Sequence, residues 1–317
     1  MDKKSDRNEW LVIVNPNAGN GEGKKNWKKI SELLKKEDLP FIAEFTEKRG
    51  HAIVLTLDGI TAGFRKIITV GGDGTLNEVV NGVFLNKECP TRDISLALIP
   101  IGTGNDWSRM FGIPRDYEKA IKIIHDNKLM LHDIGLISFF EGSEKKNRFF
   151  INIAGLGFES VVIKRTNTHK EKGWSGKGIY FYNLLMCLLS YKTTRAQIII
   201  DGEKINADIF SINIGNGKYC GGGMRQTPNA LPDDGLLDVT IIKGIGKIEI
   251  IRNLKILYDG SILSHPKIDG YRCKSLKIGS DSLIYAEADG ELLGHTPMEF
   301  SIIPASVNIV YGTRLIQ

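Results

Sequence analysis

Three times in the first third of the chain an apolar run ends in a short, glycine-bearing polar loop. Leu11-Val12-Ile13-Val14 runs into Asn15-Pro16-Asn17-Ala18-Gly19. Lys66-Ile67-Ile68-Thr69-Val70 runs into Gly71-Gly72-Asp73-Gly74-Thr75-Leu76-Asn77-Glu78, and Ser95-Leu96-Ala97-Leu98-Ile99-Pro100 into Ile101-Gly102-Thr103-Gly104-Asn105-Asp106. Short apolar runs bounded by such loops read as buried strands, and helical spacing between them implies a parallel α/β sheet. In that sheet the three loops lie along one edge, at the carboxyl ends of the strands, where ligands bind.

The second loop carries the most chemistry. Leu76, Val79, Val80 and Val83 mark the apolar face of a helix that begins at the loop. Glycines there permit positive φ and leave no side chain between main-chain N–H groups and a ligand. Those groups, with the positive helix end, suit phosphate. Asp73 would repel phosphate unless a cation lies between them, which points to Mg²⁺. Alone, the run fits a tight turn equally well. Ala18 to Lys25 approaches a P-loop, but Lys25 stands where that mechanism needs a hydroxyl. Gly71–Asn77 also lacks G-x-G-x-x-G spacing, so neither P-loop nor dinucleotide fold applies.

Strands are expected at Trp10–Asn15, Pro40–Phe45, Lys66–Val70, Ile94–Pro100 and His132–Ile137. Helices are expected near Lys24–Lys36, Gly50–Ile60, Thr75–Phe84, Asn105–Phe111 and Tyr117–Asp126. Beyond Gly135 the pattern turns to strands: Phe149–Ile153, Ala196–Ile200, Ala207–Ile214, Leu237–Ile242, Ser275–Ile278, Leu283–Ala288 and Met298–Ile303. Asp201-Gly202 and Asp289-Gly290 signal hairpin turns. The expected fold class is therefore α/β + β: a layered α/β nucleotide-binding domain over residues 8–134, then a β-sandwich over 135–304. Helices after Gly178 and near Lys247–Leu257 are inserted in the second.

The chain's 317 residues suit this two-domain division, and its four cysteines form no CxxC pair, which favours a reduced, cytoplasmic setting. Met1 to Glu9 lacks the apolar stretch of a signal peptide. The run Ile179–Tyr191 is shorter than the roughly 20 residues of a membrane span. A soluble protein is expected, and the net charge of +5 identifies no partner by itself. Nothing points to nucleic acid. Lys164, Arg165, Lys170, Lys172 and Lys177, with Trp174, precede the apolar run. They read as a solvated loop before a core helix, or, were the substrate a lipid, as a contact with an anionic membrane.

Taken together, these motifs resemble the diacylglycerol kinase catalytic-domain family, and its soluble bacterial lipid kinases most closely. The matching residues are Asn15 to Gly19, Thr46 with His51-Ala52, Gly71 to Glu78, and Pro100 to Asp106. Ala154 to Phe158, Gly221 to Met224 with Pro228-Asn229-Ala230, Asp234 to Asp238, and Asp289-Gly290-Glu291 follow in the family's order. The resemblance implies a fold like that of NAD kinases and diacylglycerol kinases, with the chain end, Val307–Leu315, returning to the first domain. It implies ATP contacts from Asn15, Pro16, Asn17, Ala18, Gly19, Thr46, Gly71, Gly72, Asp73, Gly74, Thr75, Leu76, Asn77 and Thr103.

Asp73 is implied to hold catalytic Mg²⁺ and Asp133 to join the active-site network. A structural Mg²⁺ is implied at the Asp234 carboxylate and the carbonyls of Leu231 and Leu236. Composition cannot separate Glu203 from Glu291 as general base; the resemblance favours Glu291. Asn105-Asp106 reads as a helix cap, compatible with a binding role. The expected function is transfer of phosphate from Mg·ATP to a lipid hydroxyl at a membrane surface, diacylglycerol being the leading acceptor and sphingoid bases, ceramide and phosphatidylglycerol remaining open. A soluble-acceptor kinase like NAD kinase and a non-catalytic lipid-binding protein are the alternatives, and a homodimer stays open.

Overall fold

The computed structural model describes residues 7–102, 104–171 and 177–313. The chain divides into two compact units. One comprises the residues up to Ile134, Pro232–Asp234 and the residues from Ile303 onward; the other comprises Gly135–Leu231 and Gly235–Ile302.

The first unit alternates β1 (Arg7–Val14), α1 (Ala18–Lys36), β2 (Phe41–Phe45), α2 (His51–Thr61), β3 (Phe64–Gly71), α3 (Asp73–Leu85), β4 (Ser95–Pro100), α4 (Asp106–Met110) and α5 (Tyr117–Asp126). β1 pairs in parallel with β2 and β3, and β3 with β4. Asn308 and Ile309 of the last strand add to β4, also in parallel. Trp10, Val12 and Val14 face one side with Ile30 and Leu34 of α1 and Ile121 and Ile124 of α5. On the other side Leu11 meets Gly59 of α2. Strands buried on both faces explain the unbroken apolar runs.

The helix expected from Lys24 extends back to Ala18, but Gly19, Asn20 and Gly21 are left-handed and kink it. The regular part thus matches its apolar period, and the glycines shape the loop. The Val307–Leu315 return is seen through Thr313; Leu315 lies outside the described residues. Tyr311 N donates to Lys128 O at 3.1 Å and Gly312 N to Phe111 O at 3.0 Å.

In the second unit the elements are β5 (Leu129–Glu141, entering from the first unit), β6 (Glu144–Phe150), β7 (Ile153–Gly157), α6 (Phe158–Glu171), α7 (Lys177–Ser190), β8 (Thr194–Ile200) and β9 (Glu203–Gly215). Then come β10 (Tyr219–Cys220), β11 (Met224–Arg225), β12 (Leu237–Lys243), α8 (Lys247–Arg252), α9 (Ile256–Asp259), β13 (Ile268–Cys273), β14 (Ser275–Ser280), β15 (Tyr285–Ala288) and β16 (Glu291–Val310). One antiparallel layer runs β13-β12-β9-β7-β15-β16; β8 and β14 join β9 to β16 on the other side. Phe150, Ile198, Ile212, Leu276 and Phe300 are among the buried residues between them.

Both Asp-Gly turns form as two-residue hairpins with positive φ at each residue, Asp201 +45° and Gly202 +98°, Asp289 +48° and Gly290 +83°. The strand expected over Phe149–Ile153 is instead broken between β6 and β7. There the N–H groups of Ile151, Asn152 and Ile153 bond the Asp289 carboxylate at 2.8, 3.0 and 3.1 Å rather than a neighbouring strand. The basic stretch expected as a loop from Lys164 is helical through Glu171. Phe158 and Val162 bury against Cys187 and Leu188, and that tertiary contact outweighs a weak local pattern. Lys172 and Trp174 lie outside the described residues. β13 was not anticipated because Asp269, Gly270 and Arg272 interrupt its alternation.

Loss of hydration acts on two carboxyls of this unit, Glu159 and Glu287. Burial raises the Glu159 carboxyl above its ordinary range, and burial pushes Glu287 up to about 8. Glu287 Oε2 accepts Gly290 N at 2.8 Å.

Two measurements check this packing. A Cβ on Gly82 of α3 would lie 2.5 Å from Thr56 Cβ and 2.8 Å from Ile53 O of α2. Gly82→Ala therefore lowers the urea unfolding free energy by about 1–3 kcal/mol, although alanine favours a helix by nearly 1 kcal/mol. For Glu287, the folded carboxyl stays protonated to about 8, whereas the unfolded one ionises near its ordinary 4.5. Stability is lost as pH rises between those values. Glu287→Gln keeps an acceptor for Gly290 N and removes the titration. Its stability gain grows from near zero at acidic pH to about 3 kcal/mol at neutral pH in urea melts.

Candidate active site

In the first unit the loops after β1 and β3 are tied together. Asn15 Nδ2 donates to Thr75 Oγ1 at 3.0 Å, while Asn15 Oδ1 accepts Asn17 N at 3.0 Å. A Cβ on Gly23 would sit 2.1 Å from Asn15 O, so the turn into α1 passes over that carbonyl only without a side chain. Pro16, Ala18 and Gly19 are half-buried and Asn17 is exposed. Thr46, nearly buried, donates its N–H to Val14 O at 2.9 Å just beyond β2. Gly72 precedes α3 in extended conformation with no side-chain cap. The helix therefore presents its positive end and uncapped first amides beside Gly71, Gly72, Gly74 and Thr75. Leu76 and Asn77 are fully buried, and Asn81 Nδ2 bonds Asn77 O at 2.8 Å. A ligand would thus meet the loop through residues 71–75. Glu78 has a structural part: its carboxylate accepts Gly50 N at 2.8 Å and Ala52 N at 3.1 Å, holding the start of α2.

Asp73 accepts Asp106 N through Oδ2 at 3.0 Å and Trp107 N through Oδ1 at 3.3 Å. It therefore caps α4 from the neighbouring loop, a task the sequence suggested for Asn105-Asp106. The Cβ position of Gly104 lies 3.3 Å from Asp73 Oδ2 and 3.7 Å from Asp106 Oδ2. Two carboxylates thus lie close to the side-chain-free face of Gly104. This donor set fits a hard divalent cation that completes its shell with water and phosphate oxygens. The described residues hold no group of three or more acidic, His or Cys side chains suited to a metal. Asp106, which the sequence offered as a helix cap compatible with a binding role, joins Asp73 at this candidate site. Thr103 lies outside the described residues.

Asp133 is buried. Its Oδ1 accepts Ala305 N at 2.6 Å and its N–H donates to Pro232 O at 2.7 Å, so it fastens the chain end. Beside it, burial pushes the His132 imidazole down to about 4. Neutral His132 accepts Trp107 Nε1–H through Nε2 at 3.3 Å, which leaves Nδ1–H to face Asp133 O.

In the second unit the two Asp-Gly-Glu turns differ. Glu203 is exposed. Glu291 opens β16, and its Oε2 lies 3.0 Å from Arg148 Nη2, with both side chains less than a fifth exposed. Asp289 anchors this turn to Ile151, Asn152 and Ile153. Arg148 was not singled out from sequence, since a lone arginine in a charged run carries no signal. Of the residues implied for a structural cation, Asp234 is exposed beside Gly235, which has φ +74°. Leu231 and Leu236 are half-buried.

Comparison with known proteins accords with this geometry. Residues 9–137 match the diacylglycerol kinase catalytic domain, and residues 152–311 the YegS C-terminal NAD kinase beta sandwich-like domain. A diacylglycerol kinase of Staphylococcus carnosus (strain TM300) is 28% identical over 311 residues, covering 96% of this chain and 97% of that one. One of Mycobacterium tuberculosis (strain ATCC 25618 / H37Rv) is 28% identical over 302 residues, with 94% of each covered. A solved Bacillus anthracis str. Sterne structure superposes with TM-score 0.78 at 27% identity, covering 97% of this chain and 98% of that one. Yeast NADH kinase shares the fold alone, with TM-score 0.52 at 13% identity over 97% of this chain and 84% of that one. The α/β unit, the β-rich unit and the ordered loops are those of a lipid kinase, and the chain belongs to the diacylglycerol kinase family with a YegS-type C-terminal domain.

Proposed function

We propose that this lipid kinase uses ATP and Mg²⁺ and phosphorylates the free hydroxyl of diacylglycerol, giving phosphatidic acid. The observation that carries the nucleotide half is the pair Asp73 and Asp106 facing the side-chain-free space at Gly104. When bound there, Mg²⁺ would neutralise phosphate charge. Around it, Asn15 and Thr75 set the loop positions, and the uncapped amides of α3 receive phosphate oxygens. Asp73 keeps its orientation through the α4 amides.

In the acceptor half Glu291 serves as general base. It takes the hydroxyl proton as that oxygen bonds the γ-phosphorus and the bond to the β-phosphate oxygen breaks, releasing ADP. Arg148 holds the carboxylate in place. The acceptor is a lipid on the strength of the family, and diacylglycerol because relatives bear that name. A diacylglycerol acceptor is itself a membrane lipid, so the lipid is met at a membrane surface. Asp234, with the carbonyls of Leu231 and Leu236, is proposed as a second, structural Mg²⁺ site suited by its oxygen donors.

The test is transfer of labelled γ-phosphate from Mg·ATP to diacylglycerol in mixed micelles, with NAD as a soluble comparison. Wild-type protein labels the lipid, and chelation abolishes labelling until Mg²⁺ is restored. Asp73→Asn and Asp106→Asn each lower turnover by at least about 100-fold, the range for lost transition-state electrostatics. Glu291→Gln lowers it about 10²–10⁴-fold with little change in nucleotide binding. Labelling of NAD with none in lipid overturns the acceptor assignment.

A further inference from the structure

Helices α6 to α9 share one small core, in which Phe158, Val162, Leu188, Ile242 and Ile262 bury together. Their outer side is unusual. Of the fifteen large apolar side chains exposed among the described residues, eight lie here: Val161, Tyr182, Leu185, Leu189, Ile248, Ile251, Leu254 and Tyr258. On α7 the exposed residues Tyr182, Leu185 and Leu189 recur at helical spacing, while Cys187 and Leu188 face inward. A helix apolar all round is ordinarily covered on every side, and this one is not. The α8–α9 segment repeats the device. Ile248, Ile251, Leu254 and Tyr258, three to four residues apart, point outward, and Ile250, Ile256 and Leu257 pack against the core. Lys247 Nζ bonds Leu189 O, which joins the end of α7 to the start of α8.

The charges beside these stripes are mainly positive. Lys192, Lys247, Arg252 and Lys255 are exposed. Of the two acids on the α8–α9 segment, Glu249 is taken up by Lys267 at 2.6 Å, and Asp259 bonds Ser261. Lys243 is likewise committed to Asp269 at 2.6 Å.

We propose that the outer face of α7, α8 and α9 is the surface by which the protein lies on an anionic lipid bilayer. Outward-facing apolar residues at helical spacing with exposed cations alongside match what an interfacial helix needs. A protein partner would be expected to meet such cations with carboxylates, whereas anionic headgroups meet them without fixed geometry. The inference rests on the lipid-kinase reading for its choice of partner, and it names a face distinct from the basic stretch beginning at Lys164.

The experiment is co-sedimentation with vesicles of phosphatidylcholine containing phosphatidylglycerol, without diacylglycerol or nucleotide, so that binding is read apart from catalysis. The triple variant Leu189→Gln/Ile248→Gln/Ile251→Gln is compared with wild type. A second variant, Lys192→Gln/Arg252→Gln/Lys255→Gln, tests charge alone. Wild type partitions onto the anionic vesicles. The apolar triple variant loses at least about tenfold in partition coefficient, as removal of several interfacial aliphatic groups requires. The charge variant loses the preference for phosphatidylglycerol over pure phosphatidylcholine. Both keep the wild-type melting temperature and phosphorylate a short-chain, monomerically dispersed diacylglycerol at the wild-type rate.

Vesicle binding by the apolar triple variant equal to that of wild type overturns the proposal, as does failure of wild type to bind. Conversion of a wild-type dimer to a monomer with vesicle binding unchanged also overturns it, and assigns the face to a second copy. Loss of binding in the triple variant supports the face even if no lipid is phosphorylated, an outcome that would sink only the kinase reading.

Discussion

The Asp289 carboxylate accepts the main-chain N–H groups of Ile151, Asn152 and Ile153, and Asp289 N donates to Ile153 O at 2.9 Å. A single side chain thereby ends β6, starts β7 and fixes the hairpin that presents Glu291. The device recurs. Asp73 holds the first amides of α4, Glu78 those at the start of α2, and Asp133 the amide of Ala305. Each is a charge-assisted bond to a donor that no regular ladder would satisfy, and such bonds are about twice as strong as neutral ones. A loop that must stay open for a ligand cannot be held by apolar packing. Carboxylates reaching in from neighbouring elements hold these segments through their main-chain N–H groups.

This pattern explains what could be read from the residues and what could not. Strands β1, β3 and β4 and the α3 face were legible because burial on both faces forces unbroken apolar runs, and α5 because Ala120, Ile121 and Ile124 keep helical period. The loops were legible through their glycines, and Asp201-Gly202 and Asp289-Gly290 through the φ > 0 that such turns require. The break at Asn152 was not, because its cause lies more than 130 residues away in Asp289. Nor was α6, whose residues become helical only when Phe158 and Val162 find Cys187 and Leu188. Candidate-site residues were found where chemistry and turn geometry coincide, as at Asp73. Asp106 was readable as a cap compatible with binding but not as a neighbour of Asp73, and Arg148 had no local signature, since only folding brings it to Glu291.

Burial drives two titratable groups near these loops, His132 and Glu287, toward neutrality. His132 is driven down to about 4 and Glu287 up to about 8, so both are uncharged at neutral pH. Each then serves through a defined hydrogen bond: His132 as acceptor for Trp107, Glu287 as acceptor for Gly290 N. Neutral groups of this kind brace the loops without adding a field of their own. Near the candidate loop, Asp106 Oδ1 lies 3.8 Å from Arg109 Nε, and the first amides of α3 have no side-chain cap.

On the proposed function, the geometry of Asp73 would resolve the apparent conflict of an acid set among amides suited to phosphate. A carboxylate has about four acceptor positions on its two oxygens. Asp73 gives one on each oxygen to the α4 amides, which fixes the plane of the group. The Cβ position of Gly104, within 4 Å of both Asp73 Oδ2 and Asp106 Oδ2, stays free of side-chain atoms because residue 104 has none. Any larger residue there would fill the space between the two carboxylates. The glycine keeps that position clear beside the two carboxylates. On the proposed function, Asp73 would favour a cation and the loop's amides would favour phosphate, so the same short stretch would serve both halves of a metal–nucleotide complex.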